Sequence, residues 1–195
     1  LDSLAQAGIV FERAFSPSGV CAPSRSAIIT GLYPTSYGAN DHRTNSYYAG
    51  PDHPGNKGRP LYEATPPPEV RCFPEYLRKN GYYCSNNSKE DYQFEVPATV
   101  WDESSYQAHW RKRPNGTPFF SVFNLFHTHE SQLWWQEDQA LTVSKEAVEV
   151  PPYYPQPDVA RHNIARHYSN IERMDEQVGE TLAQLRTDGL MDSTI

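Results

Sequence analysis

The sequence predicts an α/β fold, and three observations carry that prediction. Residues 118–126 contain the nearly unbroken apolar run Phe119-Phe120-Ser121-Val122-Phe123-Asn124-Leu125-Phe126. A strand buried on both faces reads this way, as in sheets covered by helices. Residues 73–81 read as a short amphipathic helix that leads into Tyr82-Tyr83-Cys84, a second plausible buried strand. Residues 159–188 carry Ile164, Tyr168, Ile171, Val178, Leu182 and Leu185 at spacings of three, four or seven, with Glu172, Arg173, Glu176 and Glu180 turned outward, which predicts a long amphipathic helix. A chain of 195 residues is long enough for one domain with a sizeable core.

The elements follow in order. Leu1, Leu4 and Ala5 have helical spacing, Gly8 suits a cap, and Ile9-Val10-Phe11 is a β-branched and aromatic run, so helix, turn and strand are expected here. In Cys21-Ala22-Pro23-Ser24-Arg25-Ser26-Ala27-Ile28-Ile29-Thr30-Gly31, Pro23 fits a first helical turn and Gly31 a left-handed stop. The expected two-turn helix would bury Ala27, Ile28 and Ile29 and gather Cys21, Ser24 and Arg25 at its N-terminus. Residues 33–68 are rich in Pro, Gly, Asn, Tyr and His, a long loop with the polar cluster Asn40-Asp41-His42-Arg43. Pro74 starts the helix at 73–79, whose apolar face is Phe73, Tyr76 and Leu77, and Asn80-Gly81 stops it. The triplet Arg111-Lys112-Arg113 reads as solvated surface or as a polyanion contact, and Pro114-Asn115-Gly116 as a turn. Residues 133–157 are loop, with Trp134-Trp135 and Tyr153-Tyr154 either lining a sugar cleft or packing the loop down.

The chemistry concentrates at 21–31. A helix N-terminus presents free N–H groups and the positive end of the dipole, which favour phosphate, sulfate or carboxylate. Arg25 adds a planar fork of donors suited to a tetrahedral oxyanion. The same field would lower the pKa of the Cys21 thiol and make it reactive. Thiol phosphatases, however, need an Arg six residues after the Cys, and Ala27 stands there. A buried structural Cys beside a helix start is the plain alternative.

C-A-P-S-R-S-A-I-I-T-G, read as C-x-P-S-R followed by x-x-x-x-T-G, resembles the signature of the type I sulfatases. In these the Cys is oxidised after translation to formylglycine. The resemblance implies that Cys21 is the nucleophile as an aldehyde hydrate, that Arg25 stabilises the nucleophile and the transferring group, and that Cys21, Pro23, Ser24 and Arg25 form the modification motif. It extends along nearly the whole chain. Ser88-Lys89-Glu90-Asp91 matches the family's Gly-Lys-x-His and makes Lys89 the sulfate-contacting lysine, while Asp91 stands where the family has His. His129, after the strand at 118–126, occupies the place of a catalytic His that binds sulfate and protonates the leaving atom. Glu130-Ser131-Gln132 departs from the common His-x-Pro and resembles sulfatases near the glucosamine (heparan) N-sulfatase group. Residues 168–179 resemble the helix that precedes a metal-binding strand. His127 and His129, as alternate residues of an extended segment, could instead ligate a transition metal.

The fold that the resemblance implies is alkaline-phosphatase-like: a mostly parallel central sheet flanked by helices. Residues 1–195 would form a partial N-terminal catalytic domain, because the first strand with its Asp pair and a later metal-binding strand would lie outside them. Calcium is the implied metal, with Cys21, as formylglycine, among its ligands. The implied function is hydrolysis of a sulfate ester or sulfamate on a sulfated sugar, with Asn40, His42 and Arg43 as a possible substrate subsite. The implied partners are that sulfated carbohydrate and a formylglycine-generating enzyme, and the compartment is exported (periplasmic or extracellular) or lysosomal. Two alternatives stay open: a phosphatase or phosphodiesterase of the same superfamily, which Cys rather than Ser or Thr at position 21 disfavours, and a non-catalytic anion- or glycan-binding module.

Composition excludes other classes. A net charge of −7 argues against nucleic-acid binding, which needs a basic face. It also leaves the capture of an anion to local groups. No apolar run approaches the length a bilayer requires, and Leu1-Asp2-Ser3-Leu4 lacks the basic start and apolar core of a signal peptide. With Cys21 consumed by modification, Cys72 and Cys84 are expected as two buried thiols or one disulfide.

Overall fold

A computed structural model describes residues 1–42, 62–154 and 157–195. The chain forms two compact units, Glu12–Asn124 and Leu1–Phe11 with Leu125–Ile195. Helices α1 (Asp2–Ala7), α2 (Cys21–Thr30) and α3 (Phe73–Lys79) precede strands β1 (Tyr83–Asn87), β2 (Glu103–Ser104) and β3 (Phe119–Phe123), and helices α4 (Gln132–Trp135) and α5 (Pro157–Thr187) follow.

In the Glu12–Asn124 unit the three strands form a parallel sheet in the order β2-β1-β3. Tyr83 pairs with Phe119 and Asn87 with Phe123 along the β1–β3 register, while Ser85 pairs with Glu103 across β1–β2. The parallel α/β prediction holds, but only one of the two strands expected to be buried is so. β1 is central and buries Cys84, Ser85 and Asn86, whereas every residue of β3 is only half-buried. β3 has one strand neighbour, β1, among the described residues. It also ends at Phe123, three residues before the predicted end, and Phe126–Thr128 turns into a 3-10 helix.

Polar groups are tolerated in central β1 because each finds a partner. Ser85 Oγ lies 2.8 Å from Ser121 Oγ. Asn86 donates from Nδ2 to Ser104 Oγ (3.0 Å), and its Oδ1 accepts from Asn124 Nδ2 (3.0 Å). An aromatic core packs around the sheet: Ile29, Cys72, Cys84, Tyr92, Phe94, Val100 and Trp101 are buried together, with Phe73, Leu77, Phe120 and Val122 against them. The Trp101 and Phe120 rings stack at 6.2 Å, and Phe73 meets Phe120 edge-on at 5.1 Å.

α3 has the predicted bounds. The Glu75 carboxylate accepts the Cys72 backbone N–H (2.9 Å) at its start, and Gly81, at φ 84°, follows Asn80 at its end. Tyr76 is exposed rather than buried, so Phe73 and Leu77 carry the apolar face. Cys72 and Cys84 are both buried free thiols, which settles the disulfide alternative.

Two N-terminal expectations change. α1 forms as predicted, but Ile9, Val10 and Phe11 make no strand and stay exposed, because no described strand offers them a ladder. α2 begins at Cys21, two residues before Pro23, and its inner face is Ala22, Ser26 and Ile29. Ile28, expected inside, is exposed. Four-and-three spacing from Ala22 reaches Ser26 and Ile29 and leaves Ile28 on the opposite side.

In the unit of Leu1–Phe11 and Leu125–Ile195, α5 is the long predicted helix, followed by Gly189 at φ 67°. Of the residues that the apolar spacing selects, Leu185 is buried, but most of the buried face is made of others. Ala165, Arg166, Ser169 and Asn170 are fully buried, and Tyr168 is exposed. Arg166 donates to the backbone carbonyls of Glu137 (3.1 Å), Gln139 and Ala140 (3.4 Å). Ser169 Oγ accepts the N–H groups of Thr142 and Val143, each at 3.1 Å. This face of the helix therefore secures the backbone of a loop by hydrogen bonds.

Candidate active site

Cys21 is the first residue of α2, half-buried, with the positive end of the helix beneath it. The segment after β1 passes beside it. Arg25 docks that segment: its Nε donates to the Glu90 carbonyl (2.8 Å), an Nη donates to the Lys89 carbonyl, and the guanidinium lies over the Tyr92 ring at 5.9 Å. The Gln93 N–H donates to Ser26 Oγ (2.8 Å), the next residue of α2. The docked segment holds Lys89 and Asp91 as a pair, Nζ to Oδ2 at 3.1 Å, with side chains 20% and 17% exposed. Asp91 sits at φ 48°, a left-handed conformation that Asp tolerates better than most residues.

A fourth group arrives from the polar loop. His42 Nε2 lies 3.9 Å from Cys21 Sγ. Cys21, Arg25, Lys89, Asp91 and His42 thus come together in the Glu12–Asn124 unit, beyond the carboxyl end of β1, where open α/β sheets bind ligands. Ser24 turns toward the preceding loop and donates from Oγ to the Ser18 carbonyl (2.7 Å). Asn40 is exposed and donates to Asp41 (3.4 Å), and Arg43 lies outside the described residues.

The expectation of a lowered Cys21 pKa is corrected. Burial pushes the thiol up, and Asp91 raises it further as hydrogen-bond partner and as negative charge, outweighing Lys89 and the Ala22 N–H. A dipole and one ammonium do not overcome desolvation plus an adjacent carboxylate. As an unmodified residue Cys21 is a poor thiolate nucleophile. The same surroundings suit a polar, uncharged side chain that both donates and accepts hydrogen bonds.

His129 belongs to the other unit. Its Nδ1 accepts the Ser131 N–H (3.2 Å) with Ser131 Oγ at 2.8 Å, which assigns the proton of the neutral ring to Nε2. Nε2 is thereby a donor. His127 Nδ1 lies 3.0 Å from Gln177 Oε1 of α5. His127 lies within the 3-10 turn Phe126–Thr128 and His129 caps it, so the extended alternation that suggested a shared metal fails. The basic triplet is also spent locally: Lys112 pairs with Glu103 at 2.6 Å, and Arg113 donates to the Trp110 and Thr117 carbonyls.

The whole chain, residues 1–195, matches the model of the Sulfatase family. The chain belongs to the sulfatase family. It is 43% identical over 230 aligned positions to an ulvan-active sulfatase of Formosa agariphila, covering 100% of this chain and 38% of that relative. A second ulvan-active sulfatase of the same organism is 26% identical over 227 positions, covering 100% of the chain and 43% of the relative. Iduronate 2-sulfatase of Mus musculus is 30% identical over 105 positions, 48% of the chain and 16% of the relative. The chain therefore spans less than half the length of these curated relatives.

Calcium, which the sulfatase resemblance implies, does not fit the described residues on their own. The pocket holds one carboxylate close to Cys21, Asp91, and Lys89 is paired with it. Among the described residues no group of three His, Cys, Asp or Glu is arranged to hold a metal ion. A hard divalent cation needs several oxygen ligands. No helix of the sulfatase chain is long and apolar enough to cross a membrane, among the described residues.

The sequence reading did not bring Asp91 and His42 to the nucleophile. Asp91 stands there only as a departure from Lys-x-His, and His42 as a possible substrate-subsite residue with Asn40 and Arg43, not as a neighbour of Cys21. The two-residue step from Lys89 was the one signal for Asp91. His42 carried none, because loop closure over some twenty residues leaves no periodicity to read.

Proposed function

We propose that this sulfatase domain hydrolyses sulfate esters or sulfamates of a sulfated glycan, with Cys21 as nucleophile after oxidation to formylglycine. The supporting observation is the cluster around Cys21: a side chain at a helix N-terminus, flanked by Lys89, Asp91 and His42, in surroundings that disfavour the thiolate. Formylglycine, when present, supplies a hydrated aldehyde oxygen that attacks sulfur. Lys89 holds the sulfate oxygens as charge builds up on them. Arg25, with two donors on the Lys89 and Glu90 carbonyls, positions that lysine and completes the positive side of the pocket. His129, whose Nδ1 accepts the Ser131 N–H and leaves Nε2 as donor, is the proposed donor to the departing oxygen or nitrogen, by the sulfatase resemblance of its segment. The net change is addition of one water: the S–O or S–N bond to the sugar breaks, the sugar takes a proton, and sulfate leaves.

A formylglycine-generating enzyme is the implied maturation partner, and an exported or lysosomal compartment follows from the family. The ulvan-active relatives make ulvan the first glycan to test. The deciding experiment is peptide mass spectrometry of the Cys21 peptide from protein co-produced with a formylglycine-generating enzyme. Aldehyde at Cys21, together with release of inorganic sulfate that Cys21→Ala abolishes, is the expected result. A thiol persisting under those conditions overturns the reading.

A further inference from the structure

One charge in the pocket is at odds with anion capture. Asp91 places a carboxylate against Cys21 and within 3.1 Å of Lys89 Nζ, where the incoming group is itself negative. Its side chain is 17% exposed, so water screens it only in part. It sits in a left-handed backbone conformation, on a segment that Arg25 and Ser26 pin to α2, and so cannot swing away without undoing those bonds. Of the two cations nearest the nucleophile, Arg25 has Nε and an Nη on carbonyls and Lys89 is neutralised by Asp91.

We propose that Asp91 is a specificity-determining residue: its charge beside Cys21 and Lys89 favours singly charged sulfate esters over doubly charged phosphate monoesters. This rests on the sulfatase reading of the pocket. The two esters share a tetrahedral shape and the same peripheral oxygens, so donor geometry alone separates them poorly. Charge separates them well. Coulomb energy is proportional to ligand charge, so a fixed carboxylate repels a dianion twice as strongly as a monoanion. If removing that charge tightens a monoanion by some factor, it tightens a dianion by the square of that factor.

The test uses phenyl sulfate, a monoanion throughout, and phenyl phosphate, which passes from monoanion to dianion around a pKa of about 6. Binding of both is measured by calorimetry at pH 5 and pH 8, on wild type and on Asp91→Asn produced without maturation, so that Cys21 stays a thiol and nothing turns over. Asn tolerates the left-handed backbone. Asp91→Gly, which also suits φ 48°, is the second uncharged variant in case the first is misfolded.

At pH 8 both variants should shift the phosphate-to-sulfate affinity ratio toward phosphate by roughly tenfold, the effect of one partly screened charge a few ångströms away. At pH 5, where both ligands are monoanions, the ratio should not move. An unchanged ratio at pH 8, or an equal shift at both pH values, overturns the proposal and leaves the sulfatase reading standing. Failure of both esters to bind any form also overturns it, whereas the aldehyde and sulfate-release assays judge the sulfatase reading separately.

Discussion

The two units solve the same packing problem with opposite materials. In Glu12–Asn124, aromatic and aliphatic side chains fill the core, and polar ones are reserved for strand-to-strand pairing and for the Cys21 pocket. In the other unit, the buried residues of α5 include Arg166, Ser169 and Asn170 beside Ala160, Ala165 and Leu185, and Arg166 and Ser169 tie down the backbone of residues 137–143. The first arrangement gains stability from area removed from water. The second gains it by satisfying backbone groups that a loop would otherwise leave buried and unpaired. The comparison teaches that a helix can be long and amphipathic and still use polar residues on its buried face.

The largest expected effect concerns the pocket. Lys89→Ala should lower sulfate-ester turnover in the matured protein by roughly 10²–10³-fold, the range for losing one preorganised stabiliser of oxyanion charge. A loss under about threefold in kcat, against the scale just stated, would return Lys89 to the status of a surface charge. Next comes the aromatic packing. Trp110 is 1% exposed, stacks on Phe119 at 5.8 Å and meets Phe123 at 5.5 Å. Trp110→Ala should cost about 3–5 kcal/mol, read from the urea midpoint.

Arg166→Leu attacks the other strategy. It keeps an apolar stem but strips the Glu137 and Gln139 carbonyls of the Arg166 donor and leaves Ala140 with Arg173 alone, and should cost about 3 kcal/mol. Protease cleavage should then concentrate at residues 137–143. If Leu proves neutral there, the loop is held by packing, and the contrast between the units collapses.

The smallest effect is a pH slope. Burial, with the Glu75 charge second, pushes the Cys72 thiol up from 9.0 to about 12. The protonated thiol is thus favoured in the native state, and above pH 9 the unfolded chain binds fewer protons than the folded one. Stability from this group is complete below the unfolded pKa and falls as pH rises from about 9 toward 12. Between pH 9 and 10 the loss should be about 1 kcal/mol. Cys72→Ala should remove that share of the slope while Cys84, pushed up to about 11 by burial, keeps its own, and an unchanged slope would show that Cys72 does not contribute.

Local chemistry was legible along the chain. Proline and glycine marked α3, Gly31 marked the end of α2, and three-four spacing marked α5, because these signals act within a few residues. The nucleophile motif was legible for the same reason, since Cys21 to Thr30 lie on one continuous helix. Burial was less so. Ser85 and Asn86 enter the centre of the sheet because Ser121, Ser104 and Asn124 meet them, and those partners lie 18 to 38 residues away. Ile9 to Phe11 had strand composition but no ladder, since a strand exists only with a neighbour.

The sequence by itself determined the α/β class, the helix bearing Cys21, and the residue types that make that helix end a site for anions. Only the tertiary structure decided that Lys89, Asp91 and His42 meet there, and that burial and the Asp91 carboxylate, against the opposing Lys89 charge, raise the Cys21 pKa where the helix alone would lower it. The reason is the range of each effect. Helix capping and dipole act on residues already adjacent in the chain, whereas desolvation and charge pairing depend on which distant segments close around the group.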